Sequence, residues 1–246
     1  MSKYVIFSDL DGSLLNHEDY SFEEAKGMLK VINELDIPLI FTTSKTKLEC
    51  EILQKQMNIK APLIVENGAA IYYLDKEVEL LGLKHCKIKT FIDLVKDEFE
   101  ILAFSSMRIE DIMEYTLFSY ESAKLAKLRE FSEPFLIKDE TRLSELEVLA
   151  ESRGMKILKG GRFYHCVGIN QDKGKAVEKL KKHFPNCISI ALGDNYNDVE
   201  MLRVVDIPVL IPHHEGRYIE FSAKNLIKAP YKGSLGWSEA LKEIIL

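Results

Sequence analysis

The 246 residues include only four cysteines, Cys50, Cys86, Cys166 and Cys187, and no two of them form a CxxC pair. That spacing argues against a structural zinc site and against a redox dithiol, and it leaves buried free thiols as the expectation. No stretch approaches the roughly eighteen consecutive apolar residues needed to cross a bilayer. The N-terminus lacks the basic start, apolar run and small-residue cleavage site of a signal peptide, so a cytoplasmic location is expected. There is no long Lys/Arg cluster and the formal charge is −6, a poor match to the phosphate backbone of a nucleic acid. Internal repeats and low-complexity tracts are also missing. What remains is 46% apolar and 29% charged residues. This is the balance of a soluble globular protein with a sizeable core, long enough for one large domain or two small ones.

The most informative stretch is the first fifteen residues. Tyr4 to Phe7 is a short apolar run rich in β-formers and without polar alternation, which predicts a strand buried on both faces. It ends in two carboxylates one residue apart, Asp9 and Asp11, and then Gly12. Strand side chains alternate, so the pair would share a face if the strand continued, and the glycine lets the chain turn away. Ligands of open α/β sheets bind beyond the carboxyl ends of strands, where this pair would sit. Two carboxylates so close stay ionised only if a cation or hydrogen bonds compensate them.

The next residues continue in strand–helix–strand order. Ser21 with Glu24 three later has the form of a capping box, and Ala25, Met28, Leu29, Ile32 and Leu35 follow at helical spacing. Ile37 to Phe41 predicts a second strand, so a right-handed crossover of a parallel sheet is expected. That strand ends in Thr42-Thr43-Ser44-Lys45-Thr46. Hydroxyls and a lysine there make an anion cradle, while Ser44 or Thr46 also suits the N-cap of the next helix; the two roles are compatible. Leu63 to Val65 predicts a third strand, followed by the turn Glu66-Asn67-Gly68-Ala69 and a strand over Ala70 to Leu74.

From about residue 80 the pattern changes. Helices are expected over Ile88–Phe99, Ile109–Tyr115 and Ser122–Phe131, and strands over Phe135–Lys138, Lys156–Lys159 and Phe163–Val167. This mixed α+β order predicts a second domain, residues 81–169, inserted into a first made of 1–80 and 170–246. Near its end, Gly160-Gly161-Arg162-Phe163-Tyr164-His165 sets a guanidinium and an imidazole among aromatic residues. Arg162 suits a carboxylate or phosphate. Asp172 is the expected N-cap of a helix carrying Lys173, and Ile188 to Leu192 a buried strand ending in Gly193-Asp194-Asn195-Tyr196-Asn197-Asp198. A helix beginning at Met201 and Leu202, a strand over Ile207–Ile211 and a helix over Trp237–Leu246 complete the chain.

Taken in order, the groups at strand and helix ends are Asp9 with Asp11, then Thr43, then Lys173, then Asp194 with Asp198. They resemble the four motifs of the haloacid dehalogenase-like phosphatase superfamily: DxDx(T/S), a Thr or Ser after strand two, a Lys, and GDxxxD. Ser13 stands where Thr is commoner. ENGA after the third strand, the position of the insertion and GDNYND are similar to the Cof-type branch. Where that branch has Thr-Gly-Arg, this chain has Thr43-Ser44-Lys45-Thr46. With GxRF(Y/W)H and DKGKA, that form is similar to mannosyl-3-phosphoglycerate phosphatases.

The resemblance implies an α/β fold, a Rossmann-like parallel-sheet core with an inserted α+β cap. It implies a Mg²⁺-dependent phosphatase acting through an aspartyl-phosphate. The substrate would be a phosphorylated sugar, most closely mannosyl- or glucosyl-3-phosphoglycerate. A broad sugar-phosphate phosphatase or a phosphomutase on the same fold stays open. In this reading Asp9 is the nucleophile and Asp11 the general acid and base. Asp9, Asp194 and the Asp11 backbone carbonyl hold the metal, which shields the nucleophile from the phosphate dianion. Thr43, Ser44, Lys173 and Asn197 hold the phosphoryl oxygens, and Asp198 orders a water or Lys173. Lys45, Asn67, Arg162 and His165 are expected to face the rest of the substrate, Arg162 at a carboxylate and His165 at a sugar hydroxyl.

Overall fold

The computed structural model describes residues 2–75 and 77–246. The first strand, β1, is Tyr4–Ser8. Val5 and Phe7 enter one apolar cluster and Ile6 another, which is why the run needs no polar alternation. Helix α1 (Lys26–Glu34) brings the chain back to β2 (Leu39–Thr42), parallel to β1. Helix α2 (Lys47–Gln56) and β3 (Leu63–Val65) repeat the crossover. A turn then reverses the chain into β4 (Ala70–Tyr72) and β5 (Val78–Leu80), both antiparallel to their neighbours.

A second sheet follows. Its elements are α3 (His85–Val95), β6 (Ile101–Ala103), α4 (Ile109–Thr116), α5 (Tyr120–Ala126), β7 (Ser132–Ile137), α6 (Leu143–Ser152), β8 (Met155–Lys159) and β9 (Tyr164–Gly168). The four strands run antiparallel in the order β6-β7-β9-β8. They carry a core of their own, in which Phe91, Phe135 and Leu146 meet.

The chain then rejoins the first sheet through α7 (Lys173–Lys181), β10 (Ile188–Gly193), α8 (Val199–Arg203), β11 (Ile207–Leu210), β12 (Ile227–Lys228) and α9 (Gly233–Ile245). The large sheet has the order β12-β11-β10-β1-β2-β3-β4-β5. Met28, Ile32, Trp237 and Leu241 of α1 and α9 cover the face that bears Ile6, Phe41 and Leu192. Val177, Leu180, Met201 and Leu202 of α7 and α8 cover the face of Val5, Phe7 and Ala191. Truncating the fully buried Phe7 to alanine would cost about 3–5 kcal/mol. Chain order reverses at β1, between β10 and β2, and the crevice beyond the carboxyl ends of strands at such a switch point is where α/β sheets bind ligands.

Several local expectations change. Ser21 and Glu24 make no capping box: a 3₁₀ turn (Glu23–Ala25) precedes α1, and Glu24 instead accepts from Asn16 and Ser234. A capping box does form at Thr46–Glu49, where the Thr46 hydroxyl accepts from Glu49 N and the Glu49 carboxylate from Thr46 N. The helix expected over Ser122–Phe131 stops at Ala126, and Glu130, Phe131 and Ser132 are drawn to the Glu66 carboxylate instead. Strand β6 and helix α6 are not predicted by the sequence pattern. In α6, Val148 and Leu149 are exposed, so its apolar residues do not mark one clean face. The last helix starts at Gly233, four residues early, because Asn16 from a distant loop accepts from Ser234 N. Cys50 and Cys166 are buried and free as expected, but Cys86 is exposed on the first turn of α3 and Cys187 is half-buried.

Candidate active site

β1 pairs with β10 in register, Ser8 beside Leu192, and Asp9 N donates to Leu192 O one step later. The pairing therefore brings the residues after the two strands together. Asp9, Asp194 and Asp198 are all buried, with carboxylate oxygens within 4.8 Å of one another. Gly12, at φ +82°, allows the close approach: a Cβ there would lie 2.5 Å from Asp194 Oδ2. Behind Asp9, Ser8 Oγ donates to the Asp9 carbonyl (2.6 Å) and accepts from Trp237 Nε1 (2.9 Å).

Lys173, at the start of α7 and fully buried, donates to Asp9 Oδ1 (2.7 Å) and Asp198 Oδ1 (2.6 Å). Asp198 Oδ2 accepts from the backbone N–H groups of Asp194 and Asn195, each at 3.1 Å. Asp198 thus holds both the lysine and the turn that carries Asp194. Removing Lys173 from this set would leave buried carboxylates uncompensated and cost about 3–5 kcal/mol.

Three carboxylates share one ammonium here, an excess of negative charge in a buried place. Burial and this imbalance shift the proton affinity of all three groups that follow. Burial first, then repulsion from Asp198, pushes Asp9 up to about 7 despite Lys173. Burial, with Asp198 and Asp9, raises Asp194 well above the usual carboxylate range. Burial alone would lower Lys173, but Asp198 and Asp9 outweigh it and raise the ammonium. An oxygen-only donor set with unbalanced negative charge fits a hard divalent cation such as Mg²⁺. Ser13 Oγ reaches Asp194 Oδ1 at 3.4 Å.

The general-acid candidate has a different setting. Asp11 is half-exposed and pairs with Lys45 Nζ at 2.8 Å. Lys45 is itself buried, with Glu49 at 3.9 Å, between the rings of Tyr20 and Phe118. Burial opposes its charge, yet Asp11 and Glu49 hold the lysine above its usual range. Thr43 Oγ1 accepts from Lys45 N (3.2 Å) and fixes the turn after β2. Asn197 Nδ2 donates to Asn67 Oδ1 (3.0 Å), linking the ends of β10 and β3. Glu66, Asn67 and Gly68 all have positive φ, a strained run that aims Glu66 at the four-stranded unit.

The opposite wall comes from that unit. Phe104, Phe118, Arg129, Pro134, Arg162 and His165 face Asp9, Asp11, Ser44 and Asp194 across one pocket. Arg162 donates to Tyr20 Oη (2.7 Å), Thr116 O (2.5 Å) and His17 O (2.8 Å), while Tyr20 Oη donates to Thr116 O (2.7 Å). It therefore clasps the loop after β1 to the four-stranded unit. Arg129 donates from Nε to Ala126 O (2.8 Å) and from Nη1 to Ser44 O (2.5 Å). Sequence reasoning missed Arg129, Glu66, Tyr20 and His17. Arg129 lay inside an expected helix, and nothing in its neighbours marked it.

These geometries can be set beside known proteins. A glucosyl-3-phosphoglycerate/mannosyl-3-phosphoglycerate phosphatase of Persephonella marina is 46% identical over 260 aligned positions, covering 98% of this chain and 97% of its own length. A protein of the same description from Methanococcoides burtonii is 36% identical, covering 99% and 97%. A crystal structure from Thermoplasma acidophilum superposes with a TM-score of 0.76 at 17% identity over 99% of this chain and 98% of that one, a likeness of fold. Residues 6–213 match the family described as haloacid dehalogenase-like hydrolase. With that match over most of its length, and relatives this similar end to end, the chain belongs to the haloacid dehalogenase-like hydrolases.

Proposed function

We propose that this chain is a Mg²⁺-dependent phosphatase that hydrolyses mannosyl-3-phosphoglycerate or glucosyl-3-phosphoglycerate to the glycosylglycerate through an aspartyl-phosphate on Asp9. The observation that carries the reading is the buried set of Asp9, Asp194, Asp198 and Lys173, together with the described activity of relatives that align end to end. Residues 1–80 and 170–246 would be the catalytic core and 81–169 a cap. The enzyme would work in the cytoplasm.

Asp9, Asp194 and the Asp11 carbonyl would hold the cation. When bound, Mg²⁺ supplies positive charge between an anionic nucleophile and an anionic phosphate. The Asp9 carboxylate attacks phosphorus and the bond to the leaving oxygen breaks. Asp11 gives that oxygen its proton and afterwards takes one from the attacking water, which returns Asp9 to its free form. Lys173, Thr43, the Ser44 backbone and Asn197 meet the charge spread over the phosphoryl oxygens. Lys45 lines the pocket beside this cradle, whereas Asn67, expected to face the substrate, is fully buried, lies outside the pocket lining and accepts from Asn197. Closure of the cap would keep water from the acylphosphate until the alcohol has left.

The test is phosphate release over a panel of phosphorylated sugars, phosphoglycerates and their glycosyl derivatives, with Mg²⁺ and with excess chelator. Highest kcat/KM on a glycosyl-3-phosphoglycerate, lost in chelator and restored by Mg²⁺, is the expected result. Full activity in chelator would overturn the metal site. Equal rates across the panel would make the protein a broad sugar-phosphate phosphatase, and isomerised phosphate esters among the products would make it a mutase.

A further inference from the structure

We infer that Arg129, with His165 beside it, is the carboxylate-reading subsite of this pocket, a role the sequence alone assigned to Arg162. The inference rests on the phosphatase reading above and deepens it.

A glycosyl-3-phosphoglycerate carries two anions, the phosphate and a carboxylate two carbons away. The core accounts for the first. The second needs a cation on the other wall, since Asp9, Asp11 and Asp194 would repel it. Arg129 and Arg162 are the guanidinium groups lining the pocket. They are held differently. Arg162 makes three hydrogen bonds, to Tyr20, Thr116 and His17, that join two parts of the chain across the rim. Turning it toward a ligand would release the clasp. Arg129 makes two, both to backbone carbonyls, through Nε and Nη1. Its Nη2 has no hydrogen-bond partner among the described residues. Held through Nε and Nη1 and lining the pocket, it keeps Nη2 for a single charge-assisted hydrogen bond to a carboxylate. The Phe104 ring beneath it, 5.8 Å from the guanidinium carbon, restricts its swing.

His165 supplies the second donor. It is 7% exposed on β9, and its Nδ1 is buried with no partner. An orphaned buried N–H is rarer than an orphaned acceptor, so we assign the proton to Nε2. Nε2 lies toward Gly160, where an added Cβ would stand only 2.8 Å away. The glycine therefore keeps this nitrogen clear. Burial, then the charges of Arg129 and Lys173, hold the imidazole down to about 3, so it stays neutral. A neutral Nε2–H donor beside a guanidinium, against the apolar Phe104, Pro134 and Phe163, suits a carboxylate on a short carbon chain.

The test compares mannosyl-3-phosphoglycerate with its carboxylate methyl ester, using the full chain with Mg²⁺. The wild type should prefer the acid by roughly 10- to 100-fold in kcat/KM, the range for one charge-assisted hydrogen-bonded contact. In Arg129→Met that preference should collapse, chiefly through KM, and Arg129→Lys should restore part of it. Arg129→Lys also serves as the test if the methionine variant does not fold. Arg162→Ala should keep the preference. A wild-type preference retained in both Arg129 variants overturns the assignment, because Arg129 would then act only by holding the Ser44 carbonyl. A wild type that cleaves acid and ester equally fast overturns it while leaving the phosphatase reading intact. A wild type that cleaves neither, yet cleaves another sugar phosphate, overturns the substrate reading and the inference together.

Discussion

The two walls of the pocket are built on different principles. The core wall is made of short side chains at strand ends, placed by backbone pairing: Asp9 by β1 against β10, Asp194 and Asp198 by the turn after β10, Thr43 by the end of β2. Its charges are buried and hold one another. The opposite wall is made of long side chains, Arg129, Arg162 and Phe118, anchored on backbone carbonyls or aromatic faces. A wall set by strand register can place a nucleophile to a fraction of an ångström, as phosphoryl transfer requires. A wall set by long side chains can separate from the core and return, which suits a substrate that must enter and leave. Substitutions should therefore be all-or-none on the first wall and graded on the second.

The largest effect tests the first half of that contrast. Asp9→Asn should lower phosphate release by about 10³-fold or more while the protein stays folded, since the change removes the proposed nucleophile and relieves carboxylate repulsion. Turnover near wild type in verified protein would contradict the assignment. On the second wall, Arg162→Ala should weaken kcat/KM by roughly tenfold, the worth of about 1.4 kcal/mol. It should do so equally for acid and ester substrates, because the residue clasps Tyr20, Thr116 and His17. Loss confined to the acid would return the carboxylate to Arg162.

A third expectation concerns pH. His165 and His17 are held to about 3 and about 4, His165 by burial and nearby cations, His17 by burial, His214 and Arg162. Both titrate near 6.5 when unfolded. The unfolded chain therefore binds more protons as pH falls below 6.5, and folded stability falls with it until the folded values are reached. His165→Gln should lose less melting temperature between pH 7 and pH 5 than wild type. Equal losses would mean the imidazole is solvated. The smallest effect separates true and apparent capping boxes. Thr46→Ala should cost about 1 kcal/mol, roughly 2–4 °C in Tm, whereas Ser21→Ala should cost a few tenths at most, read by thermal melts.

Legibility in the sequence followed the same division. Asp9, Asp11, Thr43, Lys173, Asp194 and Asp198 each stand near where an apolar run ends or a helix begins, and their order along the chain resembles the four motifs of a known family. β1, β2, β3, β10 and β11 were legible because burial on both faces leaves an uninterrupted apolar run, whereas the two-residue parallel strand β12, half-buried and exposed, was not. In α6 the exposed Val148 and Leu149 hid the helical face, and β6 is three residues long. Arg129 gave no signal because two carbonyls place it, one at the end of the helix it follows and one 85 residues away.

The sequence by itself determined the α/β class, the order of the catalytic groups and the chemistry they can do. The class follows from local periodicity, while the order and chemistry of the proposed catalytic groups follow from the resemblance of their motifs to those of haloacid dehalogenase-like phosphatases. The tertiary structure alone decided which capping box forms, where α5 stops and α9 starts, and which arginine clasps the loop after β1 to the four-stranded unit. Ser21 and Thr46 look alike along the chain. They differ because Glu24 is drawn to Ser234 and Asn16, while Glu49 remains on the helix that Thr46 begins. Residues far apart in sequence compete for the same carboxylate, and only the folded chain settles which of them reaches it.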